Sequence, residues 1–396
     1  MLLQKISPER ERLIFEINKI GADPYALKMW EKGVGVCVKI KSVSYAQANI
    51  IKQEAIASGI DAVVSKGTVS GKIKETDILI LGSRNGFMRL VKRLSNQPFG
   101  LKDFADNLKI FISGEKGNYI YAREKKIDLS ECKIMGILNT TPDSFSDGGN
   151  YTNEKAIDVQ IEKLAASSDI IDIGGESTRP GAPSVDKDEE IKRVKYAVER
   201  AVDFGDKVVS IDTTKSAVAE FALKKGVHIV NDISGLTFDK NMASICAEYG
   251  AGVCIMHING TPETMQDNIS YNNLLEDIKI FFDRQINYAI RCGISEERIM
   301  LDPGIGFGKT LEHNYIILKY LEEFKAFNLP VVIGLSRKSL IGKIDNSKVS
   351  ERDMVSKVLE SIAVINGADI IRTHDTESLK KVLKIIDFYS KVEIDD

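Results

Sequence analysis

No CxxC pair occurs among the five cysteines (Cys37, Cys132, Cys246, Cys254 and Cys292), and their odd number leaves no complete disulfide framework. Cys132 and Cys254 sit at or inside apolar runs, so the set reads as reduced core residues of a cytoplasmic protein, not as zinc ligands or staples. Charge of one sign is missing too. Against 57 Asp and Glu stand 54 Lys and Arg, a net −3, which gives nucleic acid or an anionic membrane no electrostatic hold. No apolar stretch approaches the roughly 18 residues of a membrane span. The opening MLLQKISPERERLIFEINKI is too charged for the apolar core of a secretory leader. What is left is ordinary for a soluble globular chain with sizeable cores: 43% hydrophobic and 28% charged. Its 396 residues suggest about two domains.

What the chain has in abundance is a repeated layout. Eight short β-branched apolar runs each end in one or two polar residues, with room for a helix before the next. They are KIMGIL before Asn139, DIIDIGG before Thr178 and Arg179, VVSI before Asp212, HIV before Asn231, GVCI before Met256 and His257, IML before Asp302, PVVIG before Ser336 and Lys338, and DII before Arg372 and His374. In a parallel (β/α)8 barrel all strand C-termini open onto one face, so these residues converge on one pocket. An amide, two carboxylates, three cations, hydroxyls and a histidine meet there. That set suits a flat polar heterocycle plus an anion.

The barrel is expected over residues 118–396, with NYIYAREKKIDLS as a hairpin plugging its bottom. Helical spacing of apolar residues marks NEKAIDVQIEKLAAS, KDEEIKRVKYAVERAV, KSAVAEFALKKG, NNLLEDIKIFFDRQINYAIRCG, TLEHNYIILKYLEEF, ERDMVSKVLESIAVINGA and TESLKKVLKIIDFYSKV, several ending at a glycine. Strand and helix alternating in this way call for a parallel sheet with right-handed crossovers. Residues 1–115 differ. GVGVCVKI, YAQANIIKQEAIASG, DAVVS, DILILGS and FMRLVKRLSN predict a smaller α/β domain without a chemical motif, joined through ISGEKGN. GSRN at Gly82–Asn85 reads as a surface turn sooner than as an anion site.

Within the strand-end segments, Asn139–Gly149 (NTTPDSFSDGG) has hydroxyls, carboxylates and glycines, as a loop closing over a ligand would. Gly174–Gly181 (GGESTRPG) offers donors for a phosphate or carboxylate, although a plain structural loop is as good a reading. DPGIGFGKT is not a phosphate-binding P-loop, because Pro303 stands where that motif needs glycine. Asp302 instead ends a strand, where a carboxylate can accept two N–H bonds from a ring edge, with Phe307 along the ring's face. Arg337 has an even chance of being plain solvated surface. Asp212 either binds ligand or caps the next helix. His257 reads as structural, as do His228 and His313.

The succession IMGILNTTPDSFSDGG, IDIGGESTRPGA, SIDTTK, IVNDISG, CIMHINGTPETMQ, LDPGIGFGK, IGLSRKS and RTHD resembles the dihydropteroate synthases in every motif and in order, from about residue 118 to the end. The resemblance implies a (β/α)8 barrel joining 4-aminobenzoate to (7,8-dihydropterin-6-yl)methyl diphosphate, with Mg2+, in folate biosynthesis; the family usually forms homodimers. It implies that Asp212, Asn231, Asp302 and Lys338 bond the pterin's edges while Ile233, Met256, Phe307 and Arg372 enclose its faces. Asn139 would reach the Mg2+–diphosphate, and Arg372 and His374 would hold the diphosphate. Thr178, Arg179, Pro180, Ser336 and Lys338 would shape the aminobenzoate site. Asp212, Lys338, Arg372 and His374 are the expected catalytic residues. Ile258, Asn259, Leu340 and Thr373 depart from the family pattern, and none of them is assigned chemistry.

Two alternatives remain at this point. A pterin-dependent methyltransferase barrel would share the carboxylates and amide but has no need of TRPG or of SRKS with RTHD. A non-catalytic ligand-binding barrel would be expected to lack a Mg2+ or diphosphate residue, and none is missing.

Overall fold

A computed structural model of the chain describes residues 8–20, 24–113, 118–141, 150–178, 181 and 184–392. Most of the Asn139–Gly149 loop, together with Arg179 and Pro180, lies outside the described residues. The chain divides into two compact units, Met1–Lys116 with Lys391–Asp396, and Gly117–Ser390.

The first unit holds α1 (Arg10–Lys19), a 3-10 helix (Pro24–Lys32), β1 (Gly35–Ser44), α2 (Tyr45–Ala57), β2 (Asp61–Val64), β3 (Glu75–Ser83), α3 (Arg84–Leu94) and α4 (Leu101–Ser113). Its sheet has the order β1-β3-β2 and is antiparallel throughout. Period-two alternation in β3 buries Ile78 and Ile80 and leaves Asp77 and Leu79 outside. The buried face packs with Ile51 and Ala55 of α2 and with Phe87, Leu90 and Leu94 of α3. In GSRN, Ser83 is a helix cap: its hydroxyl accepts the Gly86 N–H at 3.3 Å.

The second unit opens with a hairpin, β4 (Tyr119–Ala122) and β5 (Lys125–Asp128), and continues as eight strand–helix repeats. The strands are β6 (Lys133–Asn139), β7 (Ile170–Gly174), β8 (Val208–Asp212), β9 (Ile229–Asp232), β10 (Gly252–Met256), β11 (Ile299–Asp302), β12 (Val332–Gly334) and β13 (Ile370–Thr373). All pair in parallel, in the order β11-β10-β9-β8-β7-β6-β13-β12. A Leu301–Val331 bridge joins the two ends of that order. The expected barrel is present. Around it run α5 (Asn150–Ser167), α6 (Lys187–Asp203), α7 (Ser216–Lys224), α8 (Met242–Glu248), α9 (Leu274–Arg291), α10 (Leu311–Lys319), α11 (Ser339–Asp345), α12 (Asp353–Ile365) and α13 (Thr376–Lys391).

Each strand has two faces with separate destinations. Met135, Ile170, Val208, Ile229, Cys254, Met300, Val332 and Ile370, one from each strand, pack with Ile120, Ala122, Ile127 and Leu129 of the hairpin segment, which plugs the barrel. Their neighbours in sequence, among them Ile171, Val209, Val230, Val253, Leu301, Ile333 and Ile371, pack in the cluster formed with the surrounding helices. Counting onward by two from the plug layer therefore tells which later residues face the lumen.

One expected helix is interrupted. TLEHNYIILKYLEEF forms α10 only to Lys319; Tyr320 leaves helical geometry (φ −113°, ψ 29°) and a 3-10 helix follows over Leu321–Phe327. Leu318, Leu321 and Phe324 are all buried. Their spacing of three suits the 3-10 repeat of three residues per turn better than the α-helical repeat.

Candidate active site at the mouth of the barrel

Stepping two residues along from the plug layer brings Asp172, Ser210, Asn231, Met256, Asp302, Gly334 and Arg372 to the inner surface, and the next step adds Asp212. Arg372 stands between two of the carboxylates: its Nε donates to Asp172 Oδ2 at 2.6 Å and its Nη2 to Asp212 Oδ2 at 2.7 Å. Asn231 donates to the same Asp172 oxygen at 3.2 Å. Asp212 is thus a lumen carboxylate paired with Arg372 and does not cap α7, whose capping position is Lys215. Asp232, one step out of phase, turns away and accepts the Ser234 and Leu236 amides at 2.8 and 2.9 Å.

Electrostatics follow from putting these charges where little water reaches. Burial, with Asp172 close by, pushes the Asp212 carboxyl up to about 7 despite its pairing with Arg372. Burial likewise raises Asp302, whose Oδ1 accepts the Gly304 amide at 2.7 Å. It lowers Lys338 to about 8, against the pull of Asp302. Burial disfavours the Arg372 charge as well, but Asp172 and Asp212 outweigh it and hold the guanidinium protonated. The Lys338 ammonium bonds the Ile305 carbonyl and lies 4.8 Å from the centre of the Phe307 ring. Ile233, Met256, Ile258 and Met265 form a separate apolar cluster with Phe307 packed against it. A polar floor beside an apolar wall is the result.

The remaining expected residues lie at or just beyond the strand ends. Asn139 ends β6 and pairs in register with Gly174 of β7. Ser336 Oγ lies 3.0 Å from His374 Nδ1 and 3.3 Å from the His374 amide, so the β12 and β13 ends are tied to each other. Thr178, four residues beyond β7, is half-buried. The base of its loop is fixed by Glu176, which accepts the Val185 amide at 2.6 Å and Lys215 Nζ at 2.8 Å; the same ammonium reaches Glu190 at 2.6 Å. Arg337, whose side chain is 39% exposed, makes a two-pronged surface pair with Asp353 at 2.7 and 2.8 Å.

Asp172 was not among the residues expected from the sequence. A rule that looks for polar residues after each run passes over it, because it lies inside one, DIIDIGG. A carboxylate two residues beyond the inward-facing Ile170 was the available signal. Its Oδ1 and the Ser210 hydroxyl are buried and have no hydrogen-bond partner among the described residues. Asp172 and Ser210 are register neighbours on β7 and β8. Buried polar atoms without partners are rare, and two together at the floor of a pocket suit a polar ligand. The histidines expected to be structural are so placed. His228 accepts the Val209 amide at 3.1 Å, and His313 completes a capping box with Thr310. His257 is buried beside Lys309.

Comparison with known proteins agrees with this geometry. A family model described as a pterin binding enzyme matches residues 135–374. Dihydropteroate synthase of Escherichia coli (strain K12) is 42% identical over 269 residues, covering 68% of this chain and 95% of that protein. A Helicobacter pylori protein named bifunctional dihydropteroate synthase/dihydropteroate reductase is 30% identical over 389 residues, 97% of this chain and 98% of its own length. The crystal structure of Yersinia pestis dihydropteroate synthase with a sulfonamide drug complex superposes with a TM-score of 0.66 at 39% identity, over 69% of this chain and all of that one. The chain therefore belongs to the dihydropteroate synthases, pterin-binding barrel transferases that join (7,8-dihydropterin-6-yl)methyl diphosphate to 4-aminobenzoate in folate biosynthesis.

Proposed function

We propose the following division of labour at the barrel mouth. The pterin lies on the floor made by Asp172, Asp212, Asn231, Asp302 and Lys338, between Arg372 on one side and Ile233, Met256 and Phe307 on the other. The observation that carries this reading is the coincidence of three inward carboxylates with two partnerless buried polar atoms, Asp172 Oδ1 and Ser210 Oγ. The guanidine-like edge of a pterin supplies N–H donors for such acceptors, and Asp302 Oδ2 is the acceptor we assign to it. An arylamine is already largely unprotonated at neutral pH, so no strong base is needed to uncover its lone pair. The harder task is expelling diphosphate from a methylene carbon. Arg372 and His374 hold the leaving group's charge, while Asp212 and Asp302 stabilise positive charge growing on the pterin methyl. Ser336, Lys338 and Thr178, with Arg179 and Pro180, form the aminobenzoate side.

Among the described residues no group of three or more His, Cys, Asp or Glu side chains converges as a metal cage. Asn139 offers one neutral oxygen at a strand end. Mg2+ keeps several waters and binds readily through substrate phosphates, so one amide oxygen beside a diphosphate fits it. When bound there, Mg2+ supplies further neutralisation of the leaving charge.

Replacing Asp302 by Asn swaps an acceptor for a donor against ligand N–H groups and should weaken pterin binding by about 1–3 kcal/mol. Calorimetry with the hydroxymethyl pterin reads this directly, and unchanged affinity removes Asp302 from the site. His374→Ala should weaken the pterin diphosphate far more than the free hydroxymethyl pterin; equal weakening of both would reassign it.

The N-terminal unit, read as a separate 1–115 extension ahead of the 118–396 barrel, supports a second reading. The Helicobacter pylori relative named as a bifunctional synthase/reductase matches nearly the whole chain, whereas the Escherichia coli synthase matches 68% of it. We infer that this chain also reduces dihydropteroate and that the extension serves that step. Incubation with 7,8-dihydropteroate and a panel of hydride donors tests it, and absence of tetrahydropteroate rejects it. A homodimer is supported by α12, which leaves Met354, Val358, Ile362 and Ile365 exposed at helical spacing, a stripe a second copy would cover. Sedimentation of Val358→Glu should show monomer where the parent shows dimer. Placement in the cytoplasm is supported by five free cysteines. No helix of the described residues is long and apolar enough to cross a membrane.

A further inference from the structure

Lys309 carries a charge-bearing group into the wall of the site without facing the site itself. It is 2% exposed. Its Nζ lies 3.0 Å from His257 Nδ1 and donates to the His257 carbonyl at 3.2 Å and the Phe307 carbonyl at 3.0 Å. Burial pushes the Lys309 amine well below its ordinary basicity, and two carbonyls take both N–H groups of the neutral amine. Burial and Lys309 lower the His257 ring to about 2, so the ring is neutral, and its Nδ1 closes the third contact. The bonds join two loops. His257 directly follows Met256 at the end of β10, and Phe307 lies five residues beyond Asp302 at the end of β11. The loops touch backbone to backbone: a Cβ on Gly304 would sit 2.0 Å from the His257 carbonyl, and one on Gly308 would sit 2.6 Å from that of Asn259. Two lighter ties accompany the lysine, Tyr271 Oη to the Gly308 carbonyl at 2.8 Å and Gln266 Nε2 to the Gly306 carbonyl at 3.0 Å.

We propose that Lys309, seated on His257, is a positioning residue that pins the β10 and β11 loops together and so fixes Met256 and Phe307 as one rigid wall for the pterin ring. The proposal rests on the assignment of the pterin to that wall, made above. The lysine acts through Phe307 and never touches the ligand. A planar ligand gains from a wall already set at stacking distance, because ordering that wall on binding would cost affinity. Loosening the pin therefore lowers affinity for the pterin more than for the aminobenzoate, whose side is built on the β7, β12 and β13 ends and meets the β11 loop through Lys338.

The test uses the full chain with Lys309→Met, an unbranched side chain one atom shorter, which removes its three contacts. Hydroxymethyl pterin should bind on the order of 30-fold more weakly, while KM for 4-aminobenzoate at saturating pterin diphosphate and kcat change less than about threefold. Leu164→Ala, which truncates a fully buried α5 residue packed on β6 away from this wall, serves as the control for lost stability and should leave pterin affinity unchanged. The deciding measurement is a double-mutant cycle with Phe307→Ala: once the wall residue is gone, Lys309→Met should cost little more, a strongly non-additive result. Additive losses would overturn the proposal, since the lysine would then act on the ligand by its charge and not through Phe307. Wild-type affinity in Lys309→Met would overturn it as well. Should Lys309→Met fail to fold, His257→Phe, which removes one acceptor and keeps a ring, carries the same cycle with a smaller effect. Asp302→Asn run alongside separates the two levels. If it too leaves pterin binding intact, the site assignment has failed; if it weakens binding and Lys309→Met does not, only the pin has.

Discussion

The two units bury the same kinds of apolar side chain and very different polar ones. Among the described residues of the N-terminal unit, the buried polar side chains are Ser58, Thr68 and Thr76, none of them charged. The barrel unit buries Asp172, Glu190, Asp232, Asp302, Lys309, Lys357 and Glu360. Taking an ion out of water costs several kcal/mol, and an ion pair seldom repays this better than well-packed hydrocarbon would. A core built for stability alone looks like the first unit. The buried ionisable groups of the second lie on the lumen face, in the loop after β9 as Asp232 does, or behind strand ends as brackets. Lys215 with Glu176 and Glu190 is one bracket, Lys309 with His257 another, and Lys357 with Glu360 and Thr373 at 2.8 and 3.0 Å a third.

The sharpest test of that contrast pairs one truncation from each unit with similar expected cost. Arg372→Ala leaves Asp172 and Asp212 buried without their cation, which should destabilise by about 3–5 kcal/mol and abolish synthase turnover. Phe87→Ala opens a cavity in the N-terminal core and should also cost about 3–5 kcal/mol. Per folded molecule, though, its synthase turnover should match the parent's. Thermal unfolding together with active-site titration separates the two quantities. A fall in turnover per folded Phe87→Ala enzyme would mean that the extension takes part in the synthase step.

A smaller effect concerns the shared cation. With the Asp212 carboxyl raised to about 7, it is ionised above that pH and protonated below it. The free enzyme's kcat/KM for the pterin diphosphate should therefore fall as pH drops through about 7, because kcat/KM reports groups of the unliganded enzyme. Asp212→Asn should be slow at every pH and lose this acid limb. A limb that persists in Asp212→Asn belongs to another group.

How much of this was legible follows from where each residue lies in its strand. The eight-strand barrel could be read because each strand is an apolar run of β-branched residues and each crossover keeps helical spacing. Residues just after a run, such as Asp212, Asn231 and Asp302, were readable as lumen groups once the topology was known. Asp172 was not, since it sits inside the run and only the alternation of faces reveals it. Lys309 lies in the segment that fails as a P-loop and carries no sequence signal of its own, and its partner His257 reads as structural; only the fold brings the two together. α8 and α11, of seven residues each, are too short for their periodicity to stand out. The break at Tyr320 was hidden because a spacing of three in Leu318, Leu321 and Phe324 passes for helical over so short a stretch.

The smallest effect bears on the one motif of the N-terminal unit that invited a chemical reading. In GSRN, Ser83 accepts the Gly86 amide and begins α3, while Arg84 donates to the Ser113 carbonyl at 3.2 Å. Both side chains are engaged in holding the unit together. Losing a serine cap costs about 1 kcal/mol, so Ser83→Ala should lower the unfolding free energy of its unit by that amount. It should leave the affinities for phosphate, diphosphate and pterin diphosphate untouched. An anion site would behave the other way round, with little loss of stability and a measurable loss of phosphate binding in a titration of the full chain. That outcome would put a charged ligand on the extension and erase the contrast between the two units.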